Sequence, residues 1–275
     1  MLGLCLLDLS KYLNIVGLSL QSALIYRVNF FVRATVNLVP LLATVTLWKA
    51  IFQGGGTSSI GGYSLEEMIS YYVVVTVVEA LTAVTEDDWQ IASDIKDGQI
   101  SQFLVKPVDY IAYRFCLFFS GRLVYTVAAA LPVIGFLLWN SSYLVAPASH
   151  TAFAAFAVSV MMSALLQFLM CYLVAMLAFW VLEISSFSFI LLAFERMASG
   201  QMFPLDILPP QLGNLLSCLP FAYESYFPVS VYLGRVSGAA LAQGLFIQAL
   251  WVVALYYSAR WVWSFGLRSY SAVGG

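Results

Sequence analysis

Residues 151–182 read TAFAAFAVSVMMSALLQFLMCYLVAMLAFWVL, without one Asp, Glu, Lys or Arg. A bilayer core of about 30 Å needs roughly 20 mostly apolar helical residues to cross it, and this run exceeds that. It is long enough to tilt or to protrude from the bilayer. The rest of the chain agrees. Hydrophobic residues make up 62% of its 275 positions and charged residues 9%, against about 45–50% apolar and about 25% charged in an ordinary soluble domain. So few charges cannot solvate the outside of a globule this size; lipid can. The chain reads as an all-α integral membrane protein, a single domain over residues 1–275.

Windows of the same kind lie on either side, separated by polar or Pro/Gly punctuation. They cover about 34–52 (closed by QGGGTSSIGG), 68–85, 110–139, 184–203 and 239–265, which predicts six transmembrane helices. Two apolar regions do not read as spans. In 8–31, Tyr12, Ile15, Val16, Ser19, Ala23 and Tyr26 recur at helical spacing among Lys11, Asn14, Gln21, Arg27 and Asn29, which predicts an interfacial helix with its apolar face down, the alternative being an extension of the first span. In 204–235, prolines 204, 209, 210, 220 and 228 forbid a continuous helix. Short re-entrant helices before the last span are expected there, since irregular backbone survives at membrane depth only where protein or a wet cavity satisfies it.

The basic residues orient the spans. With the N-terminus inside, Lys11, Arg27, Arg33, Lys96, Lys106, Arg114, Arg260 and Arg268 flank the inner ends, and only Lys49 and Arg235 the outer ones. Both termini are therefore expected in the cytoplasm, and the short polar loops suit a bacterial inner membrane. The opening MLGLCLLDLSKYL lacks a basic n-region and reads as retained. An Asn140-Ser141-Ser142 sequon on the outside reads as a chance match. Tyr63, Tyr71, Tyr72, Trp139, Tyr143, Tyr223, Tyr226 and Phe227 gather at the outer level, where an aromatic interface belt is expected.

Other chemistry has little material. The cysteines at 5, 116, 171 and 218 are scattered and read as apolar fillers. His150 is the single histidine, so neither a metal site nor a catalytic acid/base constellation is expected. No basic block points to nucleic acid.

The best-patterned polar stretch is the inner loop 86–106. Thr85 can cap a helix, and Glu86, Asp87 and Asp88 suit the positive end of its dipole. Trp89, Ala92 and Ile95 or Lys96 share one face, with Ile91 beside it. Gly98 is a left-handed stop, and a second apolar piece, 100–105, ends at Lys106-Pro107. Taken alone, the loop is either an anchor for two spans or a lever gripped by a partner.

Here the sequence resembles permeases of the second type of ABC exporter. The resemblance is carried by Asp94-Ile95-Lys96-Asp97-Gly98-Gln99-Ile100 with Leu104-Val105-Lys106-Pro107, by Phe179-Trp180, by Ser199-Gly200-Gln201-Met202-Phe203-Pro204-Leu205, by Leu219-Pro220-Phe221, and by the ending 266–275. It implies six spans, an N-terminal interfacial helix and a re-entrant region. It further implies that 86–106 is a cytoplasmic coupling helix docking on a separate ATP-binding subunit, through Trp89, Ile91, Asp94, Ile95, Lys96, Asp97, Gly98, Gln99, Lys106 and Pro107. Two permease subunits, identical or related, would work on two ATPases. No GxxxxGK[ST] loop occurs in this chain, so ATP and Mg are expected in the partner and no cofactor here. The pair Glu195-Arg196 departs from the pattern.

Glu79, Arg122, Gln167, Glu183, Glu195 and Arg196 fall in or near spans, where charges are costly and face protein or water. Arg122, Glu79 and Glu183 read as snorkelling toward the inner interface, and Gln167 as a polar anchor between helices. Glu195 and Arg196, about 100° apart on a helix, require that at least one pair with another span. The rival reading is an ion- or proton-coupled secondary transporter using Glu79, Glu195 and Arg196, against which stands the lack of a visible inverted repeat. An intramembrane enzyme lacks a nucleophile partner for His150.

Overall fold

Apart from one isolated bridge between Ile60 and Tyr63, every regular element among the described residues of this computed structural model is helical. The description covers residues 2–25, 27–56, 58–84, 87–139 and 145–270. In order the helices are α1 (Leu2–Ile25), α2 (Arg27–Val36), α3 (Leu38–Gly55), α4 (Leu65–Thr82), α5 (Asp87–Lys96) and α6 (Ile100–Leu104). They continue with α7 (Tyr110–Trp139), α8 (His150–Ala175, prolonged by a 3₁₀ turn Met176–Phe179), α9 (Ser185–Ala198), α10 (Pro210–Ser217), α11 (Tyr226–Tyr232) and α12 (Gly238–Ser269). The cap at Thr85, the sequon at 140–142 and the ending 271–275 lie outside the described residues.

Among the described residues, four segments are long and apolar enough to cross a membrane: Val28–Gly55, Tyr110–Phe136, His150–Phe179 and Gly238–Ser269. The charge-free run 151–182 is the core of the molecule. Of its most apolar window, 61% is buried inside the chain, against 6% for α12, so α8 is the central post and α12 stands at the rim. The other two windows are less simple. α4 includes Glu66, Glu67 and Glu79 in its 18 residues. The window 184–203 is helical only over the 14 residues of α9, about 21 Å at 1.5 Å per residue. At Gly200 (φ +84°) the backbone turns left-handed and the chain folds back.

Local chemistry sets the boundaries. The Ser64 hydroxyl accepts from the Glu67 N–H (3.2 Å), and the Glu67 carboxylate accepts from the Ser64 N–H (3.0 Å), a closed capping box at the start of α4. Ser149 accepts from the Ala152 N–H (3.0 Å) to start α8. Pro210 occupies the first turn of α10, where its missing N–H costs nothing.

The segment 204–235 forms short helices at the end that carries the 56–64 loop. The aromatics expected in an outer belt are largely not lipid-facing. Tyr63, Tyr71, Tyr72, Tyr223 and Phe227 are all buried, because the folded-back segment covers α4. The Tyr71 hydroxyl donates to the Gly200 carbonyl (2.7 Å), that of Tyr72 to the Met202 carbonyl (2.8 Å), and those of Tyr63 and Tyr226 to Asp206 (2.6 Å each). The Arg235 guanidinium lies 3.7 Å over the Tyr63 ring and 3.6 Å from Asp206. Burial, then the bond to Asp206, pushes the Tyr63 phenol above the usual tyrosine range.

At the other end, the half-buried face of α1 holds Tyr12, Ile15, Val16, Ser19 and Ala23. α1 packs along α7, with the Asp109 N–H donating to the Tyr12 hydroxyl (3.2 Å) and Ser120 to the Val16 carbonyl (3.4 Å).

Candidate functional site

The loop between α4 and α7 is two short helices laid against the bundle. From α5, Ile91, Ala92 and Ile95 turn inward, and Ile100 of α6 joins them, all buried with Tyr110, Phe168 and Tyr172. Gly98 takes φ +77° between the helices, the left-handed turn expected of it. Polar bonds fasten the same face. Asp94 accepts from the Tyr110 hydroxyl (2.6 Å) and pairs with Arg114 (3.5 Å), which also donates to Gln90 (3.3 Å). Asp109 caps α7 by accepting from the Ala112 N–H (3.0 Å), and its second oxygen binds Arg260 of α12. Ser101 bonds to Tyr270 (3.2 Å).

What remains outward is a narrow ridge. Trp89, Gln90, Ser93, Asp97 and Gln99 are exposed, and Ser93 donates to Asp97 (2.5 Å). Leu104, Val105, Lys106 and Pro107 are exposed beside it; Lys96 is half-buried. Of the residues the sequence singled out here, Ile91 and Ile95 are thus internal, Asp94 bonds to the bundle, Asp97 is exposed, and Trp89 is exposed at the edge of a groove lined by Cys171 and Leu192.

The intramembrane polar residues part company. Glu79, Glu195 and Arg196 come together, with Arg196 in electrostatic reach of both carboxyls. A fourth residue joins them, Glu224, fully buried and facing Glu195. Arg122 is buried, its guanidinium over the Tyr125 ring (5.0 Å). Glu183 is exposed and accepts from the Ser185 N–H at the start of α9 (3.0 Å), which holds its carboxyl below the usual glutamate range. Gln167 is buried, but neither end of its amide has a hydrogen-bond partner.

The interhelical anchor is Gln248 of α12. Its amide donates to the carbonyls of Ser159 and Tyr223 (2.9 Å each) and to the Ser163 hydroxyl (3.2 Å), while its oxygen accepts from the Ser159 hydroxyl (2.9 Å). Fully satisfied, this network ties α8, α12 and the 220–223 turn together. Sequence reading named neither Gln248 nor Glu224. Serines spaced four apart at 159 and 163 offered the one available signal for a polar stripe on α8.

A bundle of apolar helices around one buried post, with four segments among the described residues long enough to cross a bilayer, defines an all-helical integral membrane protein. A family profile described as ABC-2 family transporter protein matches residues 38–274, and the chain belongs to that family of membrane permeases. A search of curated proteins gives no match.

Proposed function

We propose that this chain is the membrane-spanning subunit of an exporter driven by ATP hydrolysis in a separate subunit. The carrying observation is the construction of α5–α6. A lever must be stiffly joined to what it moves and open to what pushes it. Buried isoleucines and the Asp94–Tyr110–Arg114 cluster supply the joint, and the Trp89–Ser93–Asp97 ridge supplies the open face. Closure of an ATPase pair on that ridge would be passed to α7 and α8, on which α5 rests. ATP and Mg act in the partner.

The reading includes six crossings with both termini in the cytoplasm of a bacterial inner membrane, α4 and α9 completing the four longer spans. It also includes a second permease subunit. Arg196 is exposed on α9, whose main packing partners among the described residues are α8 and the 220–223 turn. A guanidinium at membrane depth faces protein or water rather than lipid, so a second subunit flanking α9 would give it both.

Transport into inverted vesicles tests the reading. ATP-dependent uptake that survives collapse of the proton gradient is the expected result. Uptake that follows the proton gradient and ignores ATP would establish a secondary carrier instead.

A further inference from the structure

The Phe179-Trp180 pair and the end of α12 build a surface that the coupling helices do not use. Phe179 turns inward. A Cβ at Gly266 would stand 2.3 Å from its ring, so glycine is what admits it there. Trp263 (5.8 Å) and Tyr270 (6.1 Å) then meet the ring edge-on. Trp180 is thereby held outward, 42% exposed, with its ring 5.5 Å from that of Phe265 on α12. Phe265 stacks in turn on Trp261 (6.0 Å, 10° between planes), and both are exposed. Three rings from two elements make one ladder on the outside of the bundle.

The ladder belongs to a longer stripe. Leu250, Val253, Tyr257, Trp261, Phe265 and Arg268 recur every three or four residues of α12, all exposed, and so share one face. Its chemistry changes in one direction, from aliphatic through aromatic to cationic. From Val253 to Arg268 the helix rises about 22 Å at about 1.5 Å per residue, half of the about 40–45 Å of a bilayer with its headgroups. A phospholipid in one leaflet has the same order and length: acyl chain, glycerol region, phosphate. Trp and Tyr favour the headgroup level, and a guanidinium matches phosphate oxygens. Tyr270 bonds to Ser101, so the Arg268 end of α12 lies beside α6.

Charge decides which phospholipid fits. Arg268 is exposed, and no carboxylate among the described residues pairs with it. Arg260, its neighbouring cation on α12, is bound to Asp109. Glu183, close to Trp180 in sequence, accepts from the Ser185 N–H instead. The phosphate of phosphatidylcholine arrives with its own ammonium group. That of an anionic lipid does not, and keeps a net charge for Arg268.

We propose that this face of α12 is a docking site for an anionic phospholipid, with its phosphate on Arg268, its glycerol region across Trp261 and Phe265, and an acyl chain along Val253 and Leu250. The binding is independent of ATP. The permease reading enters only in making this leaflet the inner one, and a test without an ATPase leaves that reading untouched.

The purified full chain in mixed phosphatidylcholine–phosphatidylglycerol vesicles, with either lipid brominated in its acyl chains, supplies the test. Quenching at Trp261 is read as the difference between the wild type and Trp261→Phe. Phosphatidylglycerol is expected to associate there about fivefold more strongly than phosphatidylcholine, the preference that one arginine near anionic headgroups provides. Arg268→Gln, an exposed change, should bring the two lipids to within about twofold of each other. Equal quenching of the wild type by the two lipids would overturn the proposal, as would a full preference retained in Arg268→Gln. Absence of Trp261 quenching by either lipid would also overturn it, because a second copy of the chain or another protein would then cover the stripe.

Discussion

Replacing Asp94 by Ala should free α5 from the bundle without unfolding the bundle itself. The residue makes two contacts with α7: it accepts from the Tyr110 hydroxyl at 2.6 Å and pairs with Arg114 at 3.5 Å. Side-chain exposure is 15% for Asp94 and 4% for Arg114, so this is a largely desolvated pair. Removing one partner of such a pair costs about 3–5 kcal/mol. Arg114 keeps Gln90 as an acceptor (3.3 Å), which favours the lower end, about 3 kcal/mol. α5 is a ten-residue helix at the edge of the fold, so the loss falls on its local opening rather than on global stability. At about 1.4 kcal/mol per decade, hydrogen exchange in 89–96 should speed up on the order of a hundredfold. Asp94→Asn keeps an acceptor for Tyr110 and should show a smaller effect, about tenfold. The assay is hydrogen–deuterium exchange with peptide-level mass spectrometry in nanodiscs. Unchanged exchange across α5 in Asp94→Ala, or equal loss of protection in α8, would refute the anchoring argument.

Gly200→Ala places a Cβ 2.7 Å from the Tyr71 hydroxyl and 2.8 Å from Tyr226 Cβ at φ +84°. Strain and overlap together should cost about 2–4 kcal/mol, read as a lower melting temperature by intrinsic fluorescence. Gln248→Leu removes the amide's bonds to the Ser159 and Tyr223 carbonyls, leaving one Ser163 hydroxyl to serve both, and should destabilise the chain by about 1–2 kcal/mol in a detergent-denaturation titration. The Glu183 carboxyl titrates below its ordinary range because it accepts from the Ser185 N–H. Its help to the start of α9 is therefore complete above that range and is lost as pH falls through the lowered value. Protection factors at the α9 N-terminus, corrected for the intrinsic pH dependence of exchange, should fall in acid for the wild type and lose that pH dependence in Glu183→Gln.

Much of the fold was legible because composition and periodicity report directly on solvent. The charge-free run around Gln167 marks the buried post, and Gly98 with inward isoleucines marks α5. The misreadings share one cause, which is that sequence order hides what folds back on what. Tyr63, Tyr71 and Tyr72 look like a lipid-facing belt until the chain returns at Gly200 and gives their hydroxyls carbonyl and carboxylate partners. Glu224 sits between Pro220 and Pro228 in a segment without period, so nothing in the string placed it against Glu195. Gln248 is one of two amides, with Gln243, in a long apolar helix, and only the Ser159–Ser163 stripe opposite distinguishes a buried glutamine from a lipid-level accident. Ile91 and Ile95 show the converse. Their amphipathic spacing was plain, but whether that face would meet a partner or the chain's own spans depended on Tyr110 and Phe168.

The central claim, that the Trp89–Ser93–Asp97 ridge is where an ATPase grips this permease, is tested most directly by photo-cross-linking in cells. A photoreactive amino acid would replace Ser93 or Asp97, with Leu212 at the opposite end as control, and adducts would be sequenced. Capture of a chain bearing a phosphate-binding GxxxxGK[ST] loop from positions 93 and 97, and not from 212, is the predicted result. Capture of no such chain from the ridge, or equal capture from position 212, would contradict the account.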